Sequence, residues 1–238
     1  MKKITLFFIL CSILFSCSKG SSFTKKDKIS PEKKSLLAYG AILSSRNYMT
    51  FDSLGYVING LDYTKVEKSA TISMLKETWE VSDRKSALDN LNWLVNEGHR
   101  KDYDKYLYNL QQDNPKKYEG FDNDKKNYDD CVKMLKDNFN ISDNIIRQVD
   151  LGAWDYDRIV TVARWSYIAE YITEEEAWNY CETSKKLAQA SYNSWDEYFV
   201  SHALGRAVAY EGDSSELIEV GQELLKSTKS IWKKIPFK

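Results

Sequence analysis

The sequence predicts an all-α protein, and three observations support that prediction. The 238 residues include only three prolines and ten glycines, so few positions interrupt a helix. Apolar residues recur at helical spacing through most of the chain, whereas the strict alternation of a half-buried strand is almost absent. Two Ser/Thr-x-x-Glu sequences, which mark helix starts, stand at Thr173 and Ser194. We therefore expect a single globular multi-helix domain with no significant sheet.

The helices are predicted in order from their capping residues and apolar spacing. Pro31 suits the first turn of the first helix, and the glycine-containing stretch after that helix is expected to be a loop or short helical turn. Ser82 is expected to cap a later helix that stops at Gly98. The predicted helices cover residues 31–47, 64–80, 83–97, 99–112, 123–139, 152–172, 174–192, 195–211 and 215–233.

The composition describes a soluble globular protein and gives no indication of nucleic-acid binding. Hydrophobic residues make up 42% of the chain and charged residues 29%. The formal net charge is −1, so no basic excess is present to attract a polyanion. We expect no nucleic-acid partner.

The first residues resemble a bacterial lipoprotein signal. Lys2 and Lys3 precede the apolar run ITLFFILCSILF, which is shorter than a membrane span. The run leads into LFSC, with a leucine three positions before Cys17 and a small serine just before it. The resemblance implies cleavage before Cys17, diacylglycerol on its sulfur and an acyl chain on its amine. An ordinary cleaved signal and an uncleaved anchor are the alternatives.

Three parts of the chain follow from this interpretation. Residues 1–16 are the signal peptide, residues 17–31 are the lipidated cysteine with a flexible polar tether, and residues 32–238 are the all-α domain. No later run of about 18 apolar residues predicts a further span. The polar stretch at residues 114–126 is a candidate insertion between two helical halves. We expect a membrane-anchored lipoprotein on the periplasmic or surface face of the cell envelope.

The segment GAWDYDRIVTVARWSYIAEYITEEEAW, residues 152–178, combines charges with a mostly apolar helix. Its polar residues on one arc of about 120° are Asp157, Arg158, Thr161 and Arg164. This pattern predicts a central helix that is buried over most of its circumference. In the leading interpretation each arginine is buried and paired with a carboxylate, because an uncompensated buried charge costs several kcal/mol. A solvated face and an anion-binding or catalytic pocket are the alternatives.

An aspartate and two histidines are the remaining candidates for chemistry. Asp155 is predicted to cap its own helix by accepting backbone N–H bonds near Arg158. His99 lies at a helix end, where a carboxylate such as Asp102 would orient it as a general base, although the helix dipole alone also favours a histidine there. His202 is predicted to be a hydrogen-bonded core residue. No metal-ligand spacing or cofactor motif is present, so we expect neither metal nor cofactor.

The cysteines and tryptophans each allow two interpretations. Cys131 and Cys181 would form a disulfide in an oxidising envelope if they lie close together, and are otherwise two buried thiols. The helical spacing of the seven tryptophans predicts core packing, with an aromatic groove for a peptide or glycan as the alternative. Trp154 and Trp165 share one stripe with Arg158, which predicts a cation–π stack.

Two blocks of sequence resemble a bacterial family, domain of unknown function 1266, over about residues 75–210. The positions that carry the resemblance are Trp79, Arg84, Trp93, Leu94, Gly98, His99, Trp154, Asp155, Arg158, Arg164, Ala177, Trp178, Ser194, Trp195, Gly205 and Arg206. Glu170 departs from the pattern, which has a glycine there. The resemblance implies a shared fold and no established activity.

These observations predict a non-catalytic binding or protein-interaction module for an unidentified protein or small ligand. One alternative is a hydrolase-like enzyme that uses His99 with Asp155, Arg158 and Arg164. Another is an immunity protein against a toxin. The enzyme requires His99 and a carboxylate within hydrogen-bond reach in one cleft, whereas a structural network requires buried arginines that are paired away from any cleft.

Overall fold

A computed structural model describes residues 29–58, 60–210 and 214–238. The predicted signal peptide at residues 1–16, the proposed lipidation site Cys17 and most of the tether lie outside the described residues. Most of the described chain is helical, which confirms the all-α class. The helices are α1 (Pro31–Leu37), α2 (Ala41–Arg46), α3 (Thr64–Trp79), α4 (Arg84–Asn96), α5 (Arg100–Leu110), α6 (Phe121–Phe139), α7 (Asp143–Gln148), α8 (Gly152–Ile168), α9 (Glu174–Ser191), α10 (Trp195–Ala209), α11 (Glu216–Gly221) and α12 (Ile231–Lys234).

Short irregular elements connect these helices. A 3₁₀ turn at Ala38–Gly40 separates α1 from α2, and a π-helical turn at Gln222–Lys226 follows α11. The strands β1 (Val57–Ile58) and β2 (Leu61–Asp62) have two residues each and pair in the antiparallel direction. The first and last predicted helices are therefore each divided in the structure, and the short helix α7 was not predicted. The polar stretch at residues 114–126 is a loop as far as Gly120 and continues as the start of α6.

The helix starts largely follow the predicted capping residues. The Thr173 side chain accepts a backbone N–H bond at the start of α9, where both halves of the capping box are present. The Ser194 side chain accepts a corresponding bond at the start of α10. The prediction for Ser82 was wrong by one residue, because Asp83 caps α4 and forms a capping box with Ser86.

Helix α8 lies at the centre of the fold. Every residue of α8 except Tyr167 is buried, which confirms the predicted central helix. The elements α2, α3, α4, α9, α10 and the 3₁₀ turn all pack around it. Gly205 of α10 permits the close packing against α8, because a Cβ atom there would lie 2.5 Å from the Cβ of Trp154. The polar stripe of α8 is therefore enclosed by protein.

Most of the tryptophans pack in the core. Trp195 and Trp232 stack with 4.7 Å between ring centroids, and Trp165 packs against the half-buried Trp79 at 6.1 Å. The other buried tryptophans are Trp154 and Trp178. Trp93 differs from all of these, because 38% of it is exposed on α4.

The two cysteines of the domain are free thiols. Cys131 lies on α6 and Cys181 on α9, and both are fully buried. Burial raises the pKa of each thiol to about 12. Of the two interpretations open from the sequence, the structure has the buried thiols and no disulfide between this pair.

The backbone conformation at Glu170 favours the glycine that the family resemblance led us to expect at this position. Glu170 follows α8 with a φ of +62°, in the left-handed region that favours glycine. The Tyr171 N–H donates to the Ser166 carbonyl (2.9 Å) and the Glu170 N–H donates to the Tyr167 carbonyl (2.9 Å). These are the two hydrogen bonds of a Schellman motif. The left-handed conformation of Glu170 is unfavourable for any residue that has a side chain. The Glu170 carboxylate forms a salt bridge with Lys68.

Glu170→Gly is expected to raise the Tm by about 2–3 °C, because glycine relieves left-handed strain that outweighs its extra freedom in the unfolded chain. Thermal unfolding followed by circular dichroism measures the shift. Glu170→Ala is the matched control, since it also loses the Lys68 salt bridge but keeps the strain. A glycine variant that melts no higher than the alanine variant would contradict this explanation.

Candidate functional site

Asp155 is fully buried on α8 and accepts hydrogen bonds from the start of α5. Its oxygens accept the backbone N–H of His99 (2.9 Å) and of Arg100 (3.0 Å). The prediction that Asp155 caps its own helix was therefore wrong. A carboxylate from a neighbouring helix satisfies two of the N–H groups that every helix start leaves without a partner.

Asp157 performs the same task for a different helix. This second fully buried aspartate of α8 accepts the backbone N–H groups of Ile42 and Leu43, both at 3.0 Å. These two residues lie in the first turn of α2. The new helix start after the 3₁₀ turn therefore has a buried carboxylate as its cap, which accounts for the division of the first predicted helix.

His99 and Asp155 form a dyad. The His99 Nδ1 lies 2.7 Å from an oxygen of Asp155, so Asp155 orients the ring instead of the predicted Asp102. His99 follows the end of α4 and directly precedes α5, so it lies at a helix end as predicted. Its side chain is 29% exposed, and its Nε2 makes no hydrogen bond to any part of the chain that the structure describes. The exposed ring of Trp93 lies 5.0 Å away, measured between centroids.

Gly98 allows the dyad to form. Its φ is +63°, and a Cβ atom at this position would lie 2.2 Å from an Asp155 oxygen. Any other residue would therefore be strained and would also clash with the carboxylate. This close approach explains why a glycine directly precedes His99.

The dyad is held by charge as well as by hydrogen bonds. Burial raises the pKa of Asp155, but hydrogen bonds from His99 and from the Arg100 backbone outweigh it and keep the pKa below the usual range. The Arg100 side chain also contacts Asp155 at 3.1 Å. Asp155 is thus an ionised carboxylate in a fully buried position.

Arg164 is fully buried, but its partners are not the predicted carboxylate. Its guanidinium donates to the carbonyls of Thr50 (2.6 Å), Leu54 (3.0 Å) and Ser53 (3.1 Å), and to the Ser44 hydroxyl (3.0 Å). Burial lowers the pKa of Arg164 to about 10, which still leaves it charged at neutral pH. Arg164 therefore holds the loop between α2 and β1 onto the central helix through the forked geometry of its N–H donors.

Arg158 lies over the ring of Trp154. Its guanidinium carbon is 3.0 Å from the ring centroid, and its Nη1 donates to the Trp154 carbonyl (2.8 Å). The cation–π stack predicted for this stripe is thus confirmed for Trp154, whereas Trp165 packs against Trp79. Burial lowers the pKa of Arg158 to about 9.

Three other positions of the family resemblance form ion pairs or hydrogen bonds with side chains. Arg84 makes a two-bond ion pair with Glu176 (2.9 and 2.7 Å), which links α4 to the capping box of α9. The Trp178 Nε1 donates to Glu174 (3.0 Å) on the same helix. Arg206 of α10 forms a salt bridge with Glu216 of α11.

His202 is a core residue as predicted, but its predicted hydrogen bond is not found among the described residues. The residue is fully buried, and neither ring nitrogen has a hydrogen-bond partner among the described residues. Its Nε2 lies 3.6 Å from Asp157, which is too far for a good hydrogen bond. Burial lowers the pKa of His202 to about 4, so it is neutral at physiological pH.

Several residues of this network were missed from the sequence. Arg46 of α2 donates to both oxygens of Glu216 at 2.8 Å. The two residues are 170 positions apart in the sequence, so no local pattern predicts that they pair. Asp104 accepts the Leu151 N–H (2.8 Å) ahead of α8, and burial raises its pKa to about 6. Arg100, beside His99, was the one missed residue with a sequence signal, because it adjoins the Gly98–His99 pair.

Two surface grooves lie apart from the dyad. One of about 420 Å³ lies at the α8–α9 junction and is lined in part by Arg84, Tyr167 and Tyr171. A second of about 250 Å³ lies between the end of α5, α6 and α7. Across the described ranges, no helix has the length and apolarity of a membrane span. Those same ranges contain no cluster of three or more His, Cys, Asp or Glu side chains suited to a metal ion.

The fold and this network define an α-helical domain organised around one buried helix whose charges bind its neighbours. The sequence profile of the family described as "Protein of unknown function (DUF1266)" matches residues 74–237, more than half of the chain, and the chain belongs to that family. The match continues past the predicted residues 75–210 and includes α11 and α12. No curated protein and no solved structure matches the chain.

Proposed function

We propose that this protein is a lipid-anchored lipoprotein of the cell envelope whose helical domain is a non-catalytic binding or protein-interaction module. One observation carries the non-catalytic part of the proposal, namely that three of the four charged side chains of α8 are used inside the fold. Asp155 and Asp157 each cap another helix, and Arg164 binds backbone carbonyls of a loop. Groups engaged in this way stabilise the scaffold and are not available to react with a substrate.

Cys17→Ala is expected to release the protein from the membrane, because the lipid on Cys17 is the proposed attachment. Fractionation followed by carbonate washing measures the distribution. Cys11→Ala is the matched control, since Cys11 lies in the segment that is proposed to be removed and its loss should leave the protein with the membrane. A Cys17→Ala protein that still sediments after the wash would refute the proposed anchor.

Trp93 is the best candidate for a surface that contacts a partner. It is a family position, yet 38% of it is exposed, and aromatic rings at protein surfaces are frequent anchors of interfaces. Affinity capture of the full-length protein from its native membrane, with wild type and Trp93→Ala compared by mass spectrometry, tests this. Tyr108→Ala is the control, because Tyr108 is 69% exposed and is not among the positions that carry the family resemblance.

We expect Trp93→Ala to lose a specific partner that wild type and Tyr108→Ala both retain, with all three proteins folded by circular dichroism. Identical capture profiles would count against this surface. If the captured partner is a toxin, the protein is an immunity protein. No contact within the domain favours that alternative.

The His99–Asp155 dyad favours a second candidate, a hydrolase-like enzyme. A buried carboxylate 2.7 Å from Nδ1 leaves Nε2 able to accept a proton, which is the arrangement of a general base. Arg164 does not belong to this candidate, because it binds the loop after α2. A panel of ester and phosphoester substrates is expected to show no turnover that depends on His99. Turnover that disappears in His99→Gln would replace the binding proposal with the enzyme.

A further inference from the structure

Three arginines from three helices lie close together, two of them buried and the third nearly so. They are Arg46 of α2, Arg158 of α8 and Arg206 of α10, and at most 10% of each is exposed. Burial is the main cause that lowers the pKa of Arg158. The nearby charges of Asp157 and Asp155 raise this pKa, and those of Arg46 and Arg206 lower it further. Such a concentration of cations in a buried place needs negative charge nearby.

The carboxylate of Glu216 lies between two of these arginines. Both of its oxygens accept hydrogen bonds from Arg46 (2.8 Å each), and it also forms a salt bridge with Arg206. Its side chain is 22% exposed, more than either arginine, so it lies toward solvent. Glu216 belongs to the six-residue helix α11, which continues directly into a π-helical turn, a geometry that is frequent at functional sites.

Polar groups beside the arginines are buried without partners. Arg158 donates a single hydrogen bond within the described residues, to the Trp154 carbonyl. The Nε1 of Trp154 and both ring nitrogens of the neighbouring His202 have none there, and the two rings lie 5.0 Å apart. Buried polar atoms in native proteins nearly always have a partner, so a group without one calls for water or a ligand.

We propose that Arg46, Arg158 and Arg206 form a binding site for a small carboxylate-bearing molecule, and that Glu216 occupies this site in the unliganded protein. The planar guanidinium fork matches a carboxylate through two parallel hydrogen bonds, and Arg46 already binds both oxygens of Glu216. An incoming carboxylate would displace Glu216 toward solvent. This site is distinct from the surface around Trp93 and goes beyond the proposed function.

Isothermal titration of full-length protein in detergent micelles with sodium citrate tests the proposal. Citrate is expected to bind wild type saturably and to bind Glu216→Gln about tenfold more tightly, because an internal competitor that occupies most of the site has been removed. Glu219→Gln is the matched control, since Glu219 is an exposed residue of the same helix. It should bind citrate as wild type does. Adding Arg46→Gln to Glu216→Gln should abolish the binding.

Several outcomes would overturn the proposal. Equal citrate affinity in Glu216→Gln and Glu219→Gln would remove Glu216 as the internal occupant. Binding to Glu216→Gln with none to wild type would make Glu216 a permanent structural partner. Inorganic phosphate that binds as tightly as citrate at matched ionic strength would reject the preference for carboxylates. If circular dichroism shows that Glu216→Gln is unfolded, Glu216→Asp replaces it, and its shorter side chain should also tighten citrate binding.

Discussion

Arg164→Ala is expected to destabilise the protein by about 5 kcal/mol, because it leaves buried carbonyls without donors and empties a fully buried volume. The guanidinium binds three successive parts of one loop, at Thr50, Ser53 and Leu54. Removing it would therefore detach that loop from the central helix. A loss of this size is a large fraction of the total stability of an ordinary domain, which is about 5–15 kcal/mol.

Urea unfolding followed by tryptophan fluorescence measures the effect of Arg164→Ala. Arg84→Ala is the control, since Arg84 also makes a two-bond ion pair but is largely exposed, and its loss is expected to change the midpoint little. Similar losses in the two variants would mean that burial does not decide the role of Arg164. If Arg164→Ala is too unstable to purify, Arg164→Lys replaces it. Lysine keeps the positive charge but lacks the forked N–H donors, so the stability of this variant should lie between those of Arg164→Ala and wild type.

Asp155→Asn is expected to destabilise the protein by about 3 kcal/mol at neutral pH, because it removes a buried charge that four donors share. The amide places N–H groups against the donors of His99 and Arg100 and retains one accepting oxygen. The start of α5 would lose its cap, and the Gly98–His99 turn would lose the group it is built around. Denaturant unfolding of wild type and variant from pH 3 to pH 8 measures this difference.

The pH dependence of that difference identifies its cause. The pKa of Asp155 is lower in the folded protein than in the unfolded chain, so the ionised carboxylate stabilises the fold at every pH above about 4. This stabilisation is lost as the pH falls through the folded pKa, where the variant and wild type should converge. Asp102→Asn, an exposed change on α5, the helix that Asp155 caps, should match wild type throughout. A difference that persists unchanged at pH 3 would point to packing instead of charge.

The sequence predicts the role of α8 but not the partners of its charges. The apolar residues around most of its circumference were enough to predict burial, and burial requires that Arg164 be satisfied. Sequence patterns do not show whether an arginine will meet a carboxylate or a row of backbone carbonyls. Arg164 meets carbonyls because the loop after α2 folds back over α8, a tertiary arrangement that local spacing does not encode.

The same limit applies to the aspartates and the dyad. A carboxylate near a helix start is usually its local cap, and Asp155 fits that description from its neighbours alone. In the structure it caps a helix whose first residues lie 55 and 56 positions earlier. The enzyme alternative already used His99 with Asp155, but only the packing of α5 against α8 shows that the two side chains form a hydrogen bond. Gly98 was predicted as a helix stop, and the close approach of Asp155 adds a second requirement there.

The burial of α8 on all sides has a consequence for how the protein unfolds. Helix α8 is buried at every residue except Tyr167, and its Asp155 and Asp157 cap the starts of α5 and α2, so it cannot open by itself. Its amide protons should therefore exchange with solvent only when the entire domain unfolds, as one cooperative unit. Fragments that end before α8 would expose apolar surfaces on every remaining helix. Hydrogen exchange should accordingly single out residues 152–168 as the slowest segment of the chain.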